Sequence, residues 1–117
     1  MAFTGSDVIT LVRALINDFD STTWTDAVCL PFISEGIRDM HTNHPEVRLK
    51  TDGTLRDYAD LAAVGNAVDL DDQYKTALAE WLCFRYFSGD AGDTRDAGRA
   101  TVHLGLYDKF FLPPGMK

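Results

Sequence analysis

Hydrophobic positions recur with a helical period in four separate stretches of this chain. In the first, Val8, Leu11, Val12, Leu15, Ile16 and Phe19 keep the three- and four-residue spacing of one buried helix face. Ser6 is placed to cap that helix, and Asp7 puts a negative charge in its first turn, where the dipole favours it. The run Asn17 to Thr23 stops it, because short polar side chains compete for backbone hydrogen bonds. A second stripe comprises Cys29, Phe32, Ile33, Gly36, Ile37 and Met40. Thr25 caps it, and Trp24 is positioned to staple onto Cys29. Pro31 lies beyond the first turn, so it is expected either to kink this helix or to push its start later. Gly36 weakens the helix by about 1 kcal/mol against Ala, yet lets a neighbouring backbone come close. The helix ends before Pro45.

The stretch Asp71 to Asp90 has no broad polar face. Tyr74, Ala77, Leu78, Trp81, Leu82, Cys83, Phe84, Tyr86 and Phe87 surround the axis, interrupted only by Lys75, Glu80 and Arg85. Such a helix must be covered on most sides, which makes it the expected central post, with Asp71 as its cap. It is too short and too charged to span a bilayer. Ser88 to Asp93 carries two glycines and reads as a helix–helix turn. The fourth helix, Thr94 to Phe111, has two apolar lines. Ala97, Ala100, Leu104, Tyr107 and Phe111 form one; Val102, Leu106 and Phe110 form the other, well away around the axis. One of these lines should be polar in a monomer, so the second is expected to meet a partner. The candidate contact surface is Val102, His103, Leu106, Phe110, Phe111, Leu112, Pro113 and Pro114, with residues 112–117 as a C-terminal tail. The candidate core is Val12, Ile16, Ile33, Ile37, Leu78, Trp81, Leu82 and Leu104. The fold class expected is all-α: one domain over residues 1–117, a bundle of four principal helices with a partly extended middle loop or arm.

Residues 46–70 supply that arm. Val47 to Lys50 alternates like a short strand, and Thr51-Asp52-Gly53-Thr54 is a turn signature. Leu55, Tyr58, Leu61, Ala62 and Gly65 suit a short helix, while Val64 to Leu70 suits extended chain equally well. A lone strand candidate has no partner within the subunit, so the segment is expected to be ordered partly from outside it.

Composition narrows the function. A chain of 117 residues is enough for one modest core. Its formal charge of −7, with acidic residues scattered throughout, argues against wrapping nucleic acid by charge attraction. Cys29 and Cys83 both lie in apolar helical patterns and read as buried free thiols. The first residues carry no signal-peptide pattern, and a cytoplasmic product is expected.

Chemistry-bearing residues are sparse. His41 and His44 are three apart and Glu46 is near, but with no fourth ligand they read as a solvated helix end rather than a metal site. His103 lies beside the second apolar line and reads as a partner-surface histidine, with no Ser, Cys or carboxylate to set next to it. Asp69, Asp71 and Asp72 lack the glycine and closing Glu of a calcium loop, and helix capping accounts for them. The Gly89 and Gly92 segment lacks the Lys and Ser/Thr of a phosphate loop. No enzyme active site emerges, and no metal or cofactor is expected.

Three stretches carry a family resemblance. DVITLVRALINDFDSTTWTDAVCLPFISEGIRDM gives two helices joined by an acidic junction with a Trp-Thr-Asp; AVDLDDQYKTALAEWLCFRYFSGDAGD gives a central helix and turn; TRDAGRATVHLGLYDKFF gives a closing helix. Together these cover most of the chain, and it resembles the small head–tail connector, or adaptor, proteins of tailed bacteriophages. Pro31 and the brief middle segment depart from that pattern. The resemblance implies a structural subunit of a ring in the virion neck, twelve copies around the DNA channel, with residues 102–117 facing the portal and residues 46–70 facing neighbouring subunits or the tail. It implies portal and tail or stopper proteins as partners, DNA passing without sequence-specific binding, and no membrane. A negative lumen would let DNA slide rather than grip it. The competing expectation is a small non-enzymatic binding or regulatory protein acting as a cytoplasmic dimer.

Overall fold

The computed structural model describes residues 3–16, 19, 22–50, 52–88 and 94–111; of 94–96 it describes the backbone alone. Among the described residues the chain is all-α, with helices α1 (Gly5–Leu15), α2 (Asp26–Asn43), α3 (Lys75–Ser88) and α4 (Thr94–Lys109). Single turns of 3-10 helix at Pro45–Arg48 and Asp72–Tyr74 lead out of α2 and into α3. α3 packs on each of the other three helices, most extensively on α4, so it is the central post that its all-round apolar pattern requires.

The start of α1 is set by Thr4, not Ser6. The Thr4 hydroxyl accepts from Asp7 N, and Asp7 accepts from Thr4 N in return, closing a reciprocal capping box. Ser6 instead donates from N to Val64 O at 2.8 Å. The buried face is Val8, Ile9, Val12 and Ile16, while Leu11 is half-buried and Leu15 is exposed. At 100° per residue, the face is rotated from the expected stripe toward Ile9 and away from Leu15. Thr25 caps α2 as expected, accepting from Val28 N. Cys29 Sγ donates to the Trp24 carbonyl at 3.9 Å, and the Trp24 ring stacks on Phe32 and meets Tyr86 edge-on. Pro31 neither delays nor ends α2, which runs from Asp26 through it to Asn43. Its ring is on the exposed side.

The middle segment holds no regular helix among its described residues beyond the turn at Pro45–Arg48, so neither the short strand at Val47 nor the short helix at Leu55 forms. Its backbone groups are used across the chain instead. Val68 N donates to Phe3 O, Thr4 pairs with Ala67, and Leu61 N donates to the Ser34 hydroxyl on α2. Leu61, Val68 and Leu70 are buried beneath this strap. The strap passes so near α1 that a Cβ on Gly5 would lie 2.8 Å from Leu61 Cδ2 and 3.1 Å from Val64 Cα. Leu49 and Leu55 pair as a single antiparallel bridge around a tight turn, where Gly53 takes φ +87°.

Arg56 anchors the segment. Its guanidinium is buried and donates to Asp69 at 3.0 Å, Asp71 at 2.9 Å, and the carbonyls of Val47 and Leu49 at 3.0 and 3.2 Å. Asp69 and Asp71 of the acid cluster before α3 are therefore partners of this arginine. Asp71 precedes the turn into α3 but makes no side-chain capping bond there.

Candidate functional site

The expected core residues Val12, Ile16, Ile33, Ile37, Leu78 and Leu82 are buried. Trp81 and Leu104 are only half-buried, packed at the edge of the core. Trp81 lies at the α2–α3 groove, against Phe84 and Tyr107, because Gly36 leaves room for its ring and for Leu78. Leu104 lies on α4, whose main helix neighbour is α3.

The contact surface expected on α4 divides. Val102 is 60 % exposed and Leu106 is 38 % exposed, one turn apart on the same side. Phe110 and Phe111 turn inward. Phe111 stacks on His44 with ring centroids 3.7 Å apart and meets Tyr107 edge-on, and Phe110 is half-buried against the core. Leu112, Pro113 and Pro114 lie outside the described residues.

His103 packs against α3. Its Nδ1 lies 2.5 Å from Glu80 Oε2, and its ring stacks on Phe87. Only 16 % of its side chain is exposed, against 8 % for Glu80. Cys83, one turn beyond Glu80 on α3, completes a cluster whose three donor atoms all fall within 4.8 Å of one another. A carboxylate and a thiol thus do stand next to His103. The sequence signal was a charged residue and a cysteine three apart on an otherwise apolar helix; nothing local ties them to a histidine twenty residues later. The thiol is not poised as a nucleophile. Burial, with the Glu80 charge adding to it, pushes Cys83 up to about 12, and burial with Asp26 pushes Cys29 up to about 11.

His41 and His44 do not converge. His41 meets the Tyr58 ring edge-on, while His44 is occupied by Phe111. Burial, with Arg48 nearby, holds His41 below its ordinary range. Tyr58 itself donates to Asp60 and lies against Arg38 at the surface.

A second exposed apolar pair went unmarked in the sequence. Leu49 and Leu55, facing each other across the turn, are 54 % and 58 % exposed. Alternation with Arg48 and Lys50 around Asp52-Gly53 was the available signal. Two apolar pairs on separate elements, one on α4 and one on the turn, are thus left unpacked within the subunit.

Comparison of the chain with protein-family profiles, with curated proteins and with solved structures finds no match. Among the described residues no helix is long and apolar enough to cross a membrane.

Proposed function

We propose that the chain is a structural assembly subunit: a component of a phage head–tail connector ring that joins the portal to the tail and continues the DNA channel in the virion neck. The observation that carries this is the pairing of exposed apolar side chains on two elements, Val102 with Leu106 on α4 and Leu49 with Leu55 at the turn. Scattered single leucines need no partner, but adjacent pairs form patches that gain by being covered. Two dissimilar patches suit a subunit that meets two different neighbours, the next copy in a ring and a second protein against the ring. A two-fold dimer through α4 alone would leave the turn uncovered.

In this assignment the α4 pair faces the portal and the turn faces the neighbouring subunit in a ring of twelve. The all-α fold and the motif resemblance of three long stretches support it. The net charge of −7 suits a channel that must release DNA. Catalysis has no part in it.

Particles assembled with Leu106→Asp should package DNA but fail to retain it or to attach tails. Normal tail attachment and full infectivity with that variant in place would remove the docking role of α4. A stable two-fold dimer of the purified chain, indifferent to portal, would favour a regulatory protein instead.

A further inference from the structure

We propose that Glu80, Cys83 and His103 bind a thiophilic divalent cation, Zn²⁺ by donor chemistry, and so clamp α4 to α3. Carboxylate, thiolate and imidazole are the three donor types that zinc takes from proteins. Bonds of roughly 2.0–2.3 Å in a tetrahedral site put donor atoms roughly 3.3–3.8 Å apart. The three donors here already lie within 4.8 Å of one another. An ion would draw in the widest separation by about 1 Å and part His103 Nδ1 from Glu80 Oε2, now 2.5 Å apart, by slightly under 1 Å.

Placement favours an ion over a simple ion pair. Glu80 and Cys83 project from adjacent turns of α3, and His103 reaches them from the one helix that packs most extensively on α3. Cys83 is fully buried and Glu80 is 6 % exposed. A histidine–glutamate pair explains two of these residues and leaves the thiol as a bystander. An ion uses all three. Phe87 stacks on the His103 ring with centroids 5.6 Å apart and limits its rotation. His103 is the most exposed of the three and marks the side from which an ion and a water in the fourth position would enter. On binding, the Cys83 proton leaves to solvent as the sulfur–metal bond forms; no electron is transferred. This assignment is independent of whether the chain assembles into a ring.

The probe is the metal alone. The full chain is titrated with Co²⁺ and then Zn²⁺, with far-UV circular dichroism recorded throughout. One equivalent of Co²⁺ should produce a near-ultraviolet sulfur-to-cobalt band that Zn²⁺ abolishes. Cys83→Ser should remove that band, and His103→Gln and Glu80→Gln should each weaken Zn²⁺ binding by more than about a hundredfold, beyond what loss of a supporting contact costs. Cys29→Ser should change nothing. Should Cys83→Ser fail to fold, the other two variants decide the question. Absence of the sulfur band in the folded parent chain, or Zn²⁺ affinity unchanged by His103→Gln, overturns the site.

Discussion

Arg56 Nη2 donates to Asp71 Oδ1 at 2.9 Å, tying the middle of the chain to the residue that opens the turn into α3. The same guanidinium reaches Asp69 and two carbonyls of the preceding turn, so a single buried cation holds both ends of the strap.

Arg56→Leu should therefore loosen the strap and destabilise the chain by about 2–3 kcal/mol, the scale of charge-assisted hydrogen bonds lost at a buried position. Asp69→Asn should cost less than about 1 kcal/mol, since Asp69 is largely exposed. Urea unfolding of the two variants checks this. Equal losses would mean that the carboxylates, not the guanidinium's burial, hold the segment.

Gly36→Ala should destabilise, although alanine is the better helix former. The added Cβ would stand 2.7 Å from both Leu78 Cδ1 and Trp81 Cδ1, and overpacking of this kind costs about 1–3 kcal/mol. At Gly98 and Gly105 on α4 nothing lies within 4 Å, so alanine there should stabilise by up to about 1 kcal/mol. Opposite shifts in thermal midpoint are the expected result. A gain at all three positions would contradict the close packing of α2 on α3.

Both thiols should resist alkylation in the native state and react on unfolding. Their pH linkage has a definite sign. Cys29 and Cys83 are raised from 9.0 to about 11 and about 12, so the stability they contribute is fully present below pH 9 and is lost as pH climbs through those values. Burial and Asp39 raise Tyr107 as well, which adds to the loss on the same side. Denaturant midpoints measured in chelator should fall above pH 9, and the fall should shrink in Cys29→Ser. A midpoint that rises with pH across this range would mean the thiols are accessible.

Much of this fold was legible because α-helical periodicity is a local signal. The stripe of α2, the all-round apolar α3 and the caps at Thr25 and before Pro45 needed no knowledge of neighbours. What was not legible depended on contacts between distant residues. Leu55 to Gly65 has helix-compatible spacing, yet its backbone is taken at Val64 by Ser6 and at Leu61 by Ser34, which no local pattern announces. Asp71 looked like a cap because its partner, Arg56, is fifteen residues away. His103 looked like a surface residue for the same reason: Glu80 and Cys83 meet it only once α4 folds back on α3. Phe110 fell on an apparent outer line and Phe111 on the inner one, yet at the end of α4 both pack on the core. Val102 and Leu106 are the part of that line left outside.

Those two residues decide the central claim. Purified portal rings mixed with the chain and followed by sedimentation should carry the parent protein as a ring, while Leu106→Asp stays at the meniscus with its helical circular dichroism unchanged. Truncation before Leu112, which spares the packed Phe111, separates the tail's contribution from that of the helix. Co-sedimentation of Leu106→Asp equal to that of the parent would contradict α4 as the docking face. Loss of its helical signal would show instead that Leu106 belongs to the core.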